Sequence, residues 1–256
     1  MSTLKGIIVK DDPRYDYLEN YLRKNGIYTT EAIDEIEKQD FIIFPFKKEI
    51  DEEEFDDKFF ENLKGNTVIF SGLRKKYLEE KCRKYSLKYY VLMEDKSVSI
   101  MNAIPTSEGV IANIIDDTTK TIYNMSILII GYGVCGQDLA RRLKALDANV
   151  STLVRSEEKE YLARTRGITP VFAEKLNNQK YDVIVNTVPD KILTKEQINK
   201  FKDSLIIDIA SIPHGFDVEY MKKIGANYKL ILGIPGKYAV EYAGEILAKK
   251  ICERMI

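Results

Sequence analysis

The 256-residue sequence predicts an α/β protein with two doubly wound parallel sheets, joined by helices that span a cleft. Two observations lead to this fold class. Short apolar runs of strand length alternate with amphipathic, helix-like stretches through both halves of the chain. One such run, in the second half, leads directly into a glycine-rich turn and then a helix. The length, with 45% hydrophobic and 31% charged residues, suits two globular domains.

The first unit is assigned to residues 1–103. Its order of strand, helix and strand predicts a parallel sheet, and ligands of such sheets bind at the carboxyl ends of the strands. The unit lacks a glycine-rich fingerprint, so we expect it to hold the substrate or a partner. Its predicted strands are residues 6–9, 41–44, 67–70 and 88–92, with helices near residues 13–25, 55–63 and 74–84.

Two helices are predicted beside the unit boundaries. The first covers residues 104–124, with Thr106 or Ser107 as its cap. Glu108 then falls in its first turn, where a carboxylate is favoured. The second covers residues 237–256, carries an apolar stripe and is expected to pack back across the cleft. Helices in these places can hinge two domains over a substrate.

The second unit, residues 125–236, contains a G-x-G-x-x-G motif between a predicted strand and a predicted helix. In this context the first glycine permits a tight turn, the second lets a pyrophosphate approach the backbone, and the third lets the helix pack on the strand. The alternative is a purely structural glycine turn. We interpret the motif as a Rossmann dinucleotide site, with contacts from Gly131, Tyr132, Gly133, Val134, Cys135 and Gly136. Further strands are predicted at residues 148–154, 181–186, 204–209 and 230–232.

Arg155 and Ser156 follow the next strand, where an NAD-selective enzyme usually carries Asp or Glu. A guanidinium can hold a 2′-phosphate in a bidentate contact, and the serine hydroxyl can add a donor. The pair therefore predicts NADP rather than NAD. The alternative for Arg155 is a solvated surface arginine.

Two later strand ends are also predicted to contact the cofactor. A short polar turn beside the glycine loop suits a nucleotide, and the next strand should face the nicotinamide. The residues concerned are Asn186, Thr187, Val188 and Pro189 at the first strand end, and Asp208, Ala210 and Ser211 at the second. The single histidine, His214, is interpreted as a loop residue rather than a general base. Cys135 is interpreted as a small residue that fits its loop, although a helix N-terminus can lower a thiol pKa.

Composition excludes several function classes. The formal net charge is −1 and no basic stripe interleaved with aromatic residues is present, so nucleic acid is not expected as a partner. Three cysteines lie far apart without a C-x-x-C pair, which predicts neither a disulfide framework nor a metal site. We find no signal peptide and no apolar run of about 18 residues, so no membrane is expected. These observations predict a cytoplasmic protein.

Several motifs in one order complete the sequence evidence. The most specific is N-x-I-P-T-x-E-G at residues 102–109; the others are the strand end at 68–72, the glycine loop, Arg155-Ser156, residues 186–189, 208–211, 233–236 and 243–247. Together they resemble the family of dipicolinate synthase A subunits over nearly the whole chain.

The resemblance implies an NADP-dependent oxidoreductase. It would act with the flavin-binding B subunit of dipicolinate synthase to oxidise a dihydrodipicolinate-type intermediate to dipicolinate. It also implies a small dicarboxylate substrate and a place in sporulation, in the mother-cell cytoplasm. The number of copies that assemble stays open, and a homo-oligomer is compatible with the sequence.

A dicarboxylate substrate requires cations and hydrogen-bond donors, and loss of a ring hydroxyl requires an acid or base. Substrate contacts are predicted from Arg14, Arg74, Ser71, Gly72 and Thr106, and catalytic contacts from Glu108, Asn102 and Ser71. Each arginine alone could instead be a solvated helix charge, and Glu108 could serve only the helix start.

The chain departs from the family at three places. It has Lys10-Asp11-Asp12 where members commonly carry Gly-Gly-Asp, Val134-Cys135 in place of Arg-Thr, and Glu241 in place of Lys. These departures leave two alternatives open. One is another NADP-linked dehydrogenase, such as a shikimate-dehydrogenase-like enzyme, and the other is a non-catalytic NADP-binding partner protein.

Overall fold

A computed structural model describes residues 4–33 and 36–255 of the chain. The described residues up to Asn102 form one compact unit together with those from Ala239 onward, and Ala103–Tyr238 form a second. We call them unit 1 and unit 2. Each contains a parallel sheet with helices, as the sequence predicts.

Unit 1 contains five strands in one parallel sheet. They are β1 (Lys5–Ile8), β2 (Tyr28–Thr30), β3 (Phe41–Ile43), β4 (Val68–Ser71) and β5 (Lys88–Val91), in the order β2-β1-β3-β4-β5. The order reverses direction between β1 and β3, which makes the ends of these strands the topological switch point. The helices are α1 (Arg14–Lys24), α2 (Asp57–Glu61), α3 (Lys76–Lys84) and the C-terminal α10 (Val240–Met255), with 3₁₀ turns at Ile36–Lys38 and Leu92–Glu94.

Helices α1 and α10 pack closely against each other in unit 1. A methyl group on Gly244 would lie 2.4 Å from the Arg14 carbonyl oxygen, so only glycine permits this approach. Around it, apolar side chains of α1, β3 and α10 form a shared core that includes Leu18, Phe41 and Leu247. This packing fixes α1, whose first residue, Arg14, belongs to the switch-point loop.

Unit 2 contains six strands in one parallel sheet. They are β6 (Ser126–Ile130), β7 (Asn149–Leu153), β8 (Thr169–Val171), β9 (Val183–Asn186), β10 (Leu205–Asp208) and β11 (Tyr228–Leu230), in the order β11-β10-β9-β6-β7-β8. The switch point lies between β6 and β9, the strands that carry the glycine loop and the 186–189 turn. The helices are α5 (Val134–Ala145), α6 (Glu157–Thr165), α7 (Lys195–Lys200), α8 (Val218–Lys223) and α9 (Pro235–Tyr238), with a 3₁₀ segment at Ala173–Asn178.

Helix α4 (Lys96–Asp117) corrects the predicted helix at residues 104–124. It begins before Pro105, which lies inside it, so neither Thr106 nor Ser107 is a cap. Proline ordinarily favours a helix start because it lacks an N–H donor. Here burial of side chains on both sides of the proline, such as Val98 and Val110, outweighs that preference.

Helix α4 is also an exception to the expectation that the chain contains no apolar segment long enough to cross a membrane. By length and composition it could cross a membrane, but half of its most apolar window is buried inside the protein. A buried core helix passes the same test, so this is weak evidence for a membrane span.

The last strand of unit 2 differs from its predicted position at residues 230–232. The ladder with β10 pairs Tyr228–Leu230 instead, and Asp208 is opposite Leu230. The chain stays beside β10 for one more residue, since the Ile231 N–H donates to the Asp208 carbonyl at 2.8 Å. Strands β2 and β8, of three residues each, were not predicted.

Candidate functional site

A cavity of about 390 Å³ opens at the carboxyl edge of the unit 2 sheet, at the switch point between β6 and β9. Open α/β sheets bind their ligands at this position. The lining residues come from the glycine loop, from the end of β7 with the start of α6, and from the turn after β9. They are Gly131, Tyr132, Gly133, Leu153, Val154, Arg155, Ser156, Lys159, Thr187, Val188, Pro189 and Ile192.

The three glycines of the loop have three different surroundings. Gly131 has φ +97°, and a methyl group there would lie 2.3 Å from Val188 Cγ2. A methyl group on Gly136 would lie 2.2 Å from the Gly131 carbonyl oxygen, so this glycine lets α5 pack against the turn. A methyl group on Gly133 would meet nothing within 4 Å. The open space at Gly133 and the start of α5 at Val134 fit a pyrophosphate against the backbone.

The other side chains of the loop face different surroundings. Tyr132 is buried in the hydrophobic core of unit 2 and also lines the cavity. Val134 is exposed. Burial raises the pKa of the Cys135 thiol, and the Asp138 carboxylate raises it further. The alternative that the helix N-terminus activates this cysteine is therefore wrong, because the surroundings raise the thiol pKa instead of lowering it.

Arg155 and Ser156 lie at one end of the cavity, after β7. The Arg155 side chain is 71% exposed, and the Asp190 carboxylate is 3.9 Å from its guanidinium. The Ser156 hydroxyl accepts a hydrogen bond from the Lys159 backbone N–H at 3.4 Å and so caps α6. Lys159 also lines the cavity and was not predicted. Its place three residues after a helix-capping serine is the sequence signal that could have found it.

The turn after β9 forms another wall of the cavity. Thr187, Val188 and Pro189 line it, and the Thr187 hydroxyl donates to the Ile130 carbonyl at 2.9 Å. Asn186 precedes them but is buried, and its amide hydrogen-bonds to Val188. Three of the four predicted residues thus reach the cavity, while the fourth lies beneath it.

Asp208 is likewise buried, at the end of β10. Its carboxylate accepts hydrogen bonds from Asn186 and from the backbone of the loop that follows. In that loop Ala210 is buried and Ser211 is exposed. His214 has φ +68° and its Nδ1 lies 2.8 Å from the Ala210 carbonyl oxygen, which fixes the ring in the loop.

In unit 1, Arg14 is paired with Asp12. The guanidinium donates through Nε at 2.7 Å and through Nη2 at 3.0 Å, and it lies 3.8 Å from the centre of the Phe46 ring. Lys47 is 2.7 Å from the same carboxylate. Burial alone would raise the pKa of the Asp12 carboxyl, but hydrogen bonds from Arg14 and Lys47 outweigh it and hold the pKa well below its usual range.

Asp11, at one of the departures from the family, holds the loop after β3. Its carboxylate accepts backbone hydrogen bonds from Phe46, Lys47 and Lys48 at 2.6–2.8 Å. A methyl group on Gly72 would lie 1.9 Å from the Phe46 ring, so the turn after β4 packs directly on this loop. The predicted residues Arg14 and Gly72 therefore meet at Phe46.

Ser71 and Arg74 also bond within unit 1. The buried Ser71 hydroxyl lies 2.7 Å from the Leu73 carbonyl oxygen and 2.7 Å from the Tyr89 hydroxyl. The half-exposed Arg74 guanidinium donates to Glu94 at 2.6 and 2.9 Å and to Glu79 at 2.8 Å.

The three predicted residues of α4 have separate surroundings. The buried Asn102 amide lies 3.3 Å from the Met93 sulfur. Thr106 is half-buried within the helix. Glu108 is 54% exposed and lies 3.1 Å from the Arg142 guanidinium of α5. Among the described residues, no group of three or more His, Cys, Asp or Glu side chains is placed to hold a metal ion.

Comparisons with known proteins agree with this geometry. The sequence model of the D-isomer specific 2-hydroxyacid dehydrogenase, NAD binding domain, matches residues 106–210, which include the glycine loop and the turn after β9. The A subunit of dipicolinate synthase from Bacillus subtilis (strain 168) is 35% identical over 187 residues, or 72% of this chain. The aligned part spans 63% of that relative's length.

Two crystal structures are similar over almost the whole chain. Dipicolinate synthase, A chain, from Bacillus subtilis has a TM-score of 0.89 at 28% identity, covering 100% of this chain and 97% of the other. The corresponding protein from Bacillus halodurans has a TM-score of 0.90 at 25% identity, covering 99% and 97%. The chain is therefore an oxidoreductase of the dehydrogenase type with an NAD(P)-binding domain, and its resemblance to the dipicolinate synthase A subunits is confirmed in both sequence and fold.

Proposed function

We propose that this protein is the NADP-linked component of a dipicolinate-forming oxidoreductase. One observation carries the proposal: a cavity at the glycine loop, lined by Arg155, lies in a chain whose fold matches the A chain of dipicolinate synthase over its full length. The reaction would move one hydride from a dihydrodipicolinate-type substrate to the dinucleotide and release one proton, which leaves an aromatic pyridine dicarboxylate.

NADP is proposed because of the charges at the Arg155 end of the cavity. Arg155 and Lys159 are both cationic, and the N-terminus of α6 adds a positive partial charge beside them. A 2′-phosphate would gain from all three and would compete with Asp190 for Arg155, whereas none of the lining residues named above is an acid that could accept the ribose hydroxyl of NAD. The dinucleotide itself supplies the hydride acceptor, and the chain's residues bind and orient it.

A small dicarboxylate is proposed as the substrate. Of the two predicted arginines, Arg74 is the better placed to bind a carboxylate, because its side chain is half exposed and its partners Glu79 and Glu94 are surface residues. Arg14 is held in the interior by Asp12. Glu108 is the proposed acid or base because its carboxylate is exposed.

Ser71 and Asn102 are proposed to shape the site rather than to react, because both side chains are buried and hydrogen-bonded. The resemblance also supports the flavin-binding B subunit of dipicolinate synthase as the partner. The same resemblance supports a cytoplasmic role during sporulation, in the mother cell.

The test combines this chain, NADP and the flavin-binding partner with freshly condensed pyruvate and aspartate semialdehyde. Formation of pyridine dicarboxylate, followed by its ultraviolet absorption, is expected only when both proteins are present. Mixtures without the flavoprotein and without NADP serve as controls, and shikimate replaces the substrate in a parallel assay.

Two results would overturn the synthase proposal. Turnover of shikimate without the flavoprotein would place the chain with other NADP-linked dehydrogenases. Tight NADPH binding without any product, even with the flavoprotein, would indicate a non-catalytic partner protein. The internal pairing of Arg14 with Asp12 favours this second candidate, since it removes one predicted substrate contact.

A further inference from the structure

Asp208 is a fully buried carboxylate at the end of β10. Among the residues that the structure describes, no cation forms an ion pair with it. Its oxygens accept hydrogen bonds from Asn186 Nδ2 at 2.7 Å, Ala210 N at 3.0 Å and Gly215 N at 2.9 Å, and the Tyr228 hydroxyl lies 3.4 Å away. A buried carboxylate is tolerated only when such donors replace the lost water.

Hydrogen bonds also fix the orientation of the Asn186 amide. Its Nδ2 donates to Asp208 and to the Val188 carbonyl at 2.9 Å, while its Oδ1 accepts from the Val188 N–H at 3.2 Å. Both amide hydrogens and the carbonyl oxygen are thus used, which leaves one orientation for the side chain. A methyl group on Gly215 would lie 2.0 Å from Nδ2, so the loop after β10 packs directly on this amide.

The pair therefore joins two loops that follow neighbouring strands. Asn186 and Asp208 are opposite each other in the β9–β10 ladder. Asn186 holds Val188, which lines the cavity, and Asp208 holds the loop from residue 209 to residue 215. Arg155 lies at the other end, after β7, on the far side of the glycine loop. A dinucleotide with its 2′-phosphate at Arg155 would extend its nicotinamide half toward the two joined loops.

We propose that Asn186 and Asp208 form a positioning pair, which fixes both loops for the nicotinamide half of the bound dinucleotide without contacting the reacting atoms. This inference rests on the proposed NADP binding. It differs from the prediction made from the sequence, in which both side chains contact the cofactor directly. It also explains why the loops need a buried amide and a buried acid beneath them.

The test compares two ligands on the purified full chain. NADPH contains the nicotinamide, whereas 2′-phospho-ADP-ribose keeps the 2′-phosphate and pyrophosphate but lacks it. Asn186→Leu keeps a similar side-chain volume and removes all three amide hydrogen bonds. It is expected to weaken NADPH binding by about tenfold or more and 2′-phospho-ADP-ribose binding by less than about twofold, because loosening a supporting side chain displaces only the loops it holds.

A second variant and a matched control complete the design. Gly215→Ala pushes against the Asn186 amide without changing either member of the pair, and it should produce the same selective loss. Tyr228→Phe removes a long hydrogen bond of 3.4 Å to the same Asp208 carboxylate but leaves its shorter bonds to Asn186, Ala210 and Gly215 in place. It should leave the affinity for both ligands unchanged. Thermal unfolding of each variant records the change in stability separately.

The outcomes separate the two proposals. If the wild-type protein binds neither ligand, NADP binding itself is refuted. If the wild type binds both ligands and the two loop variants weaken both equally, the pair has only a general structural role and the inference is refuted. An equal selective loss in Tyr228→Phe would also refute it, because the effect would not pass through the joined loops.

Discussion

The Asp12 carboxylate is buried in unit 1 and receives two hydrogen bonds from the Arg14 guanidinium, at 2.7 and 3.0 Å. Both residues lie at the switch point of the sheet, where a ligand would be expected. The arginine predicted to bind a substrate carboxylate thus binds a carboxylate of its own chain. Its guanidinium also stacks on Phe46, so the pair fixes the loop after β3.

Arg14→Met should destabilise the protein strongly. The variant leaves the Asp12 carboxylate buried with only the half-exposed Lys47 nearby, and breaking a buried ion pair costs about 3 kcal/mol or more of unfolding free energy. Urea denaturation measures the change. Arg23→Met is the matched control, because the Arg23 side chain is 56% exposed and its partner Glu19 keeps the ion pair with Lys10, so the loss should be about 0.5 kcal/mol or less. Equal losses in the two variants would contradict the prediction.

The same pair predicts a pH dependence of stability. The pKa of Asp12 is lower in the folded protein than in the unfolded chain, where it is about 3.9. Its contribution is therefore fully present above about pH 5 and is lost as the pH falls below about 4 toward the folded pKa. Denaturation at a series of pH values should show a steeper acid loss in the wild type than in Asp12→Asn. Parallel curves would show that Asp12 is not responsible.

A substitution at the middle glycine of the loop should weaken cofactor binding without changing the stability of the protein. Gly133→Ala adds a methyl group to open space at φ −81°, so the free energy of unfolding should change by about 0.5 kcal/mol or less. The same methyl group would occupy the space proposed for the pyrophosphate, and NADPH binding should fall by about tenfold or more. Fluorescence titration with NADPH and urea denaturation measure the two effects.

Gly136→Ala is the contrasting variant. Its methyl group would meet the Gly131 carbonyl oxygen at 2.2 Å, so α5 must shift and the protein should lose about 1–3 kcal/mol of stability. If Gly133→Ala proved as destabilising as Gly136→Ala, the assignment of the three glycines would be wrong.

The sequence predicts this loop well because its determinants are local. The apolar run of β6, the three glycines and the start of α5 lie within one short segment, and each glycine has the surroundings that the motif implies. The parallel sheets follow from the same kind of local alternation. The edge strands β2 and β8 escape prediction because their three residues include threonine or proline, whereas the equally short β3 is apolar throughout.

Other features depend on residues that are distant in sequence. Pro105 resembles a helix start, but burial along α4 keeps the preceding residues helical. Asp208 resembles a cofactor contact, but its donors come from Asn186, Gly215 and Tyr228, which only the fold brings together. Whether a polar residue at a strand end points toward a ligand or lies beneath the loops depends on these distant partners.

Cys135 should react slowly with alkylating reagents at neutral pH. Burial and the Asp138 carboxylate both raise the pKa of its thiol above the ordinary value of 9.0, and only the thiolate reacts. Mass spectrometry after iodoacetamide treatment should show little modification of Cys135 at pH 7 and increasing modification above pH 9. NADPH should slow the reaction further, since the thiol belongs to the proposed phosphate loop. Rapid labelling at pH 7 would mean that the helix N-terminus activates the thiol after all.

Arg155→Asp should reverse the preference between the two dinucleotides. The 71% exposed guanidinium lies beside the cavity with Lys159, and replacing it with a carboxylate would repel a 2′-phosphate and offer an acceptor to the ribose hydroxyl of NAD. Binding of NADPH should weaken by about tenfold or more while binding of NADH is retained or improved.

Arg164→Asp serves as the control, because Arg164 is also exposed on α6 but pairs with Glu160 and does not line the cavity. An unchanged ratio of the two affinities in Arg155→Asp would show that Arg155 is only a solvated surface arginine. Lys159→Glu would then test whether the second cation determines the preference.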